Sequence, residues 1–115
     1  MSRDYSLYLD DIEIAASKIL DYTAGMGYED FSNDAKTFDA VVFNLEVIGE
    51  AVKHIPNEFR TRYPDVDWKR IAGLRDIIAH GYFGLNRQIL WDVVQNRVPE
   101  LLRNIRQILA SERAS

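Results

Sequence analysis

Arg75, His80 and Tyr82 stand close together in the segment RDIIAHGY, residues 75–82. Arginine is a permanent cation whose planar fork donates paired hydrogen bonds to phosphate oxygens. Histidine titrates near neutrality, so it can take up or deliver a proton. This pair fits cleavage of RNA through its own 2′-OH, which needs no external nucleophile and no metal. It does need a proton carrier and a fixed cation facing the charge that builds on the phosphate. The spacing sets a condition. Five residues on an ideal helix turn the chain by about 500°, which leaves Arg75 and His80 about 140° apart. Either His80 lies where the helix ends, with Gly81 as terminator, or a second subunit completes the site across a two-fold axis. Tyr82 is seven residues from Arg75, two turns along the same face.

The same residues have plainer uses. Arg75 could be a surface arginine paired with Asp76 or Asp92. His80 could favour a helix C-terminus, where its cationic form suits the dipole. Tyr82 could plug a gap between helices. Elsewhere, Glu46, Glu50 and His54 fall at four-residue steps on one helix. Di-iron bundles use Glu-x-x-His, and no second helix here offers a matching set, so neither a metal nor a cofactor is expected. Glu50 and Asn44 instead read as buried polar residues that fix helix packing or a dimer. Gly25, Met26 and Gly27 lack the lysine of a phosphate-binding loop, and no serine–histidine–acid set can be assembled.

The chain of 115 residues is one domain's worth, and 47% of it is hydrophobic, enough for a core without staples. It has no cysteine, which excludes disulfides, thiolate metal sites and cysteine catalysis. The start, MSRDYSLYLDDIEIAAS, is charged early and has no apolar h-region, so a soluble cytoplasmic protein is expected. The net charge of −4 is unevenly spread. Residues 1–57 hold four basic and eleven acidic side chains, residues 58–115 ten basic and seven acidic, with nine of the ten arginines in the second stretch. One reading is a solvated charged surface. The other is a phosphate-binding C-terminal face. Asp10, Asp11 and Glu13 read as a solvated helix face or as a dock for a basic partner.

Helical periodicity organises the rest. Tyr5, Tyr8, Ile12, Ala15, Ile19 and Tyr22 form a first stripe, ended by Gly25 and Gly27, with a loop expected from Ala24 to Asp34. Ser32, Asn33 and Asp34 offer caps for a second helix with the stripe Phe38, Val41, Leu45, Ile48, Val52 and Ile55, stopped by Pro56. A short helix is expected over Asn57–Arg62. Asp65 or Asp67 caps a third long segment, about Val66–Ala79, with Trp68, Ile71, Leu74 and Ile78 inward and Gly81 and Gly84 at its end. Asn86 caps the last, lined by Leu90, Val94, Val98, Leu101, Ile105 and Ile108, with a kink or fresh start at Pro99. Trp68 and Trp91 read as core or dimer anchors. The fold expected is all-α, an antiparallel bundle of four to five helices in a single domain over residues 1–115.

Taken together, these segments resemble the HepT group of the HEPN superfamily. RDIIAHGY matches its Arg-x4-His-x-Tyr motif. FNLEVIGEAVKHIP (residues 43–56) is similar to its second-helix pattern, Trp68 and Ile89-Leu90-Trp91 fit its flanks, and Val98-Pro99-Glu100-Leu101 fits its C-terminal helix. The likeness covers about residues 5–110. It implies a homodimer whose paired motifs line a cleft, and a metal-independent RNase acting as the toxin of a toxin–antitoxin pair. It implies RNA as substrate and a minimal nucleotidyltransferase as antitoxin, one that can transfer AMP to Tyr82; neither DNA nor a membrane is implied as a partner. Arg75 would stabilise the phosphate and His80 would act as acid or base. Asp76, where the superfamily often has asparagine, would orient His80 or neutralise Arg75. The alternative is a non-catalytic helical module that binds a nucleotidyltransferase.

Overall fold

The computed structural model describes residues 3–81 and 86–114, and every element within them is helical. Helix α1 spans Arg3–Thr23, α2 Tyr28–Asn33, α3 Ala35–Lys53, α4 Asn57–Thr61, α5 Trp68–Gly81, α6 Arg87–Asp92 and α7 Val98–Ala114, with a π-helical turn over Val93–Arg97. The long helices stack side by side. α1 lies between α3 and α7, and α5 packs on the other side of α3.

The core follows from the stripes. Phe38, Val41, Leu45, Ile48, Val52 and Ile55 are all buried, as are Leu90, Val94, Val98, Leu101, Ile105 and Ile108. Ion pairs from Asp10 to Arg113 (2.9 Å) and from Glu13 to Arg106 (3.3 Å) strap α1 antiparallel to α7. The acidic run of α1 is therefore partly committed within the fold. Asp34 caps α3 by accepting from the Thr37 backbone N–H at 3.0 Å. That bond, then the Thr37 hydroxyl, holds its carboxyl below its ordinary pKa. Asn86 caps α6 through the N–H groups of Gln88 and Ile89. Arg60 reaches back from α4 and donates to the carbonyls of Ile55 (2.9 Å) and Val52 (2.6 Å) at the end of α3. Trp68 is buried and its indole N–H donates to the Tyr63 carbonyl at 2.9 Å.

Two expectations are corrected. The stretch from Ala24 to Asp34 is not all loop, because α2 occupies Tyr28–Asn33. Its Phe31 is fully buried between Phe38 (ring centroids 5.8 Å) and Trp91 (5.1 Å), so one aromatic anchors the short helix. Tyr22 does not join the α1 stripe. It is exposed, and the buried position in that turn is Thr23, whose hydroxyl donates to the Ile19 carbonyl at 2.8 Å. The fresh start expected at Pro99 is found, since α7 begins at Val98 directly after the π turn. The Val98 N–H bonds to the Val93 carbonyl, five residues back, and this π turn accommodates the N–H that proline lacks one residue on.

Candidate active site

Helix α5 carries the motif. Asp67 stands before its first turn and accepts from the Arg70 backbone N–H at 3.3 Å. The described helix runs from Trp68 through His80 to Gly81. Arg75 and His80 therefore share one helix. Ideal geometry keeps their Cα–Cβ directions about 140° apart, while position 76 lies one turn below position 80 on nearly the same face. The side chain of His80 and the whole of Tyr82 lie outside the described part of the structure, as does Gly84.

Arg75 sits where α5 crosses α3. The crossing is close because residue 49 is glycine. A Cβ there would fall 3.1 Å from both Cβ and N of Arg75 and 3.3 Å from the Ile71 carbonyl. Helix backbones this near each other require a residue without a side chain. The approach brings Glu50, the next residue, within 2.7 Å of Arg75 (Oε2 to Nε). Arg75 is 45% exposed and Glu50 48%.

This corrects two expectations. Glu50 is not a buried packing residue, because it stands at the rim of the α3–α5 contact with half its surface in solvent. Asn44 is the buried one, satisfied by its bond to the Ala40 carbonyl at 2.8 Å. The partner of Arg75 is also neither of the acids proposed from sequence. Asp76 accepts from Lys53 at 3.0 Å, and Asp92 accepts from Asn96 at 2.6 Å.

Glu50 has a second neighbour. Its Oε1 lies 3.3 Å from His54 Nε2, one turn along α3. The His54 ring stacks on Tyr8 of α1, with centroids 4.7 Å apart and planes 10° apart. Together Tyr8, Asp11, Glu46, Val47, Glu50, Ala51, His54 and Arg75 border a shallow open groove that joins α1, α3 and α5. The set Glu46, Glu50 and His54 is thus an ion pair and a groove wall, and no cluster of three metal-ligating side chains occurs among the described residues. Sequence reasoning missed Glu50 as the partner of Arg75. The Gly-Glu pair at residues 49 and 50 was the available signal, a close approach followed by a carboxylate. No helix among the described residues is long and apolar enough to cross a membrane.

The comparisons with known proteins converge. A family model described as "Ribonuclease HepT-like" matches residues 12–108. A Methanocaldococcus jannaschii protein named "Putative RNase MJ0127" is 45% identical over 107 residues, covering 93% of this chain and 88% of that protein. A Thermococcus cleftensis protein named "Probable ribonuclease HepT" is 42% identical over 101 residues, 88% of this chain and 92% of its own length. No solved structure matches.

Proposed function

The chain belongs to the HepT-like ribonucleases, and from that footing we propose that it cleaves RNA with Arg75 and His80, without a metal, at a cleft formed by two copies. The observation that carries this reading is the family match across the whole Arg-x4-His segment, on a helix that presents Arg75 half-exposed at an open groove. The reaction suits these two groups. As the 2′-oxygen bonds to phosphorus, the bond to the 5′-oxygen breaks, leaving a 2′,3′-cyclic phosphate and a free 5′-hydroxyl. His80 takes or gives the proton, and Arg75 faces the negative charge on the phosphate oxygens. Two copies about a two-fold axis would let the Arg75 of one copy face the His80 of the other, giving two such sites per dimer.

In the same reading the protein is the toxin of a pair. Its antitoxin is a minimal nucleotidyltransferase that silences it by placing AMP on Tyr82. A phosphate-bearing adduct near Arg75 would occupy the substrate phosphate position and repel RNA. Asp76, four residues before His80, would be the acid that orients it.

The test is incubation of mass-verified, unmodified protein with total cellular RNA in EDTA, beside His80→Ala and Arg75→Ala. Wild type should cleave, and each variant should lose about two to four orders of magnitude in rate. Silence of all three would move the assignment to a non-catalytic module that binds the nucleotidyltransferase. Equal cleavage by all three would place the activity at another site.

A further inference from the structure

The carboxylate beside Arg75 has no explanation in stability. Ion pairs this exposed contribute about 0–1 kcal/mol, and here both oxygens are engaged by different side chains. Oε2 meets Arg75 at 2.7 Å, and Oε1 meets His54 at 3.3 Å. His54 is in turn fixed by its stack on Tyr8. The line Tyr8–His54–Glu50–Arg75 runs from α1 through α3 to α5, and it depends on the bare backbone at Gly49 to bring the last two together. The contact falls on Nε, the edge of the guanidinium nearest the chain. A contact there restrains the guanidinium at one edge and leaves the terminal Nη pair as the fork that matches a phosphate.

We propose that Glu50 is the positioning residue for Arg75, fixing the guanidinium for RNA phosphate, with His54 as the side chain that steadies Glu50. This rests on Arg75 acting at the phosphate as set out above. It also makes a prediction opposite to that of simple charge repulsion. A carboxylate near a phosphate site, acting only as a charge, would weaken RNA binding, so neutralising it would speed cleavage. A positioning carboxylate does the reverse, because a misplaced cation loses transition-state contact more than ground-state contact.

Glu50→Gln, Glu50→Asp and His54→Gln should be compared with wild type by single-turnover cleavage of an end-labelled RNA, with melting temperature as a fold control. Glu50→Gln keeps the shape and loses the charge. Its kcat should fall about tenfold with KM within about twofold. Glu50→Asp keeps the charge but falls short by a methylene and should fall similarly. His54→Gln should lose about two- to threefold. All three should melt with wild type, since the groups are exposed. In an Arg75→Ala background, Glu50→Gln should cost nothing more. Glu50→Gln cleaving as fast as wild type or faster would overturn the proposal, and so would a tenfold loss that persists without Arg75. Should Glu50→Gln unfold, His54→Gln carries the same test. A wild type that cleaves no RNA would instead overturn the ribonuclease assignment itself, and the role of Glu50 with it.

Discussion

Gly49 shows how one missing side chain arranges two charged ones. Its Cβ would meet Arg75 and the Ile71 carbonyl on the neighbouring helix at 3.1 to 3.3 Å, tighter than ordinary van der Waals contact. All three contacts are main-chain atoms or a side chain's first carbon, which cannot rotate away. α5 would therefore have to give way by a few tenths of an ångström, which shifts Arg75 relative to Glu50. Gly49→Ala should lower stability by about 1–3 kcal/mol and reduce RNA cleavage beyond what partial unfolding accounts for. Denaturant midpoints and cleavage rates measured on the folded fraction separate the two effects. An unchanged midpoint would mean that α5 shifts at little cost. Arg75, His80 and Tyr82 stand out in the sequence because their types and spacing suit the chemistry proposed for them. Glu50 is misread there because register gives the direction a residue points, whereas burial depends on where the next helix arrives.

At the level of elements, the periodic stripes of α3 and of the α6–α7 stretch were readable position by position, since a 3.6-residue repeat of apolar side chains has one folded outcome. What escaped was set by tertiary contacts. α2 is six residues long, too short for a stripe, and exists because Phe31 is inserted between Phe38 and Trp91. The π turn before Pro99 is a backbone answer to a missing N–H that periodicity does not encode. A third tie joins the end of α4 to α7, where the Tyr63 hydroxyl makes a short hydrogen bond to Glu112 and Arg62 lies 3.2 Å from the same carboxylate. The Tyr63 bond, then the cation, hold the Glu112 carboxyl below its ordinary pKa. The carboxylate in turn pushes the Tyr63 phenol above its own. The signs give a pH window. The depressed Glu112 contributes stability above the usual glutamate pKa of about 4.3, lost as pH falls through its folded value. The raised Tyr63 contributes below the usual phenol pKa of about 10, lost as pH rises past its folded value. Tyr63→Phe should therefore cost about 1–2 kcal/mol between those limits, and the gap to wild type should close toward both acid and strong base. Urea titrations across pH read this directly, and a gap that stays constant would deny the pairing.

For the whole molecule, the decisive quantity is the angle within α5. The helix is unbroken from Trp68 to Gly81, so ideal helix geometry sets the Cα–Cβ directions of residues 75 and 80 about 140° apart within a single chain. A long substrate would have to wrap the helix to touch both, whereas the proposed two-fold pairing of α5 with its symmetry mate would let the arginine of one copy face the histidine of the other. The two arrangements separate in a mixing experiment. Arg75→Ala and His80→Ala are each inactive alone if the site needs both groups. In a mixed dimer one copy supplies an intact Arg75 and the other an intact His80, so one of the two composite sites is whole. Random exchange makes about half the dimers mixed, and each has one good site of two, so an equimolar mixture should recover about a quarter of wild-type cleavage. Recovery should grow with the time allowed for subunit exchange and vanish when the variants are crosslinked as homodimers beforehand. A mixture as dead as its components would mean that Arg75 and His80 act within one chain. The end of α5 would then have to turn His80 back toward Arg75, and the cleft would belong to each copy separately.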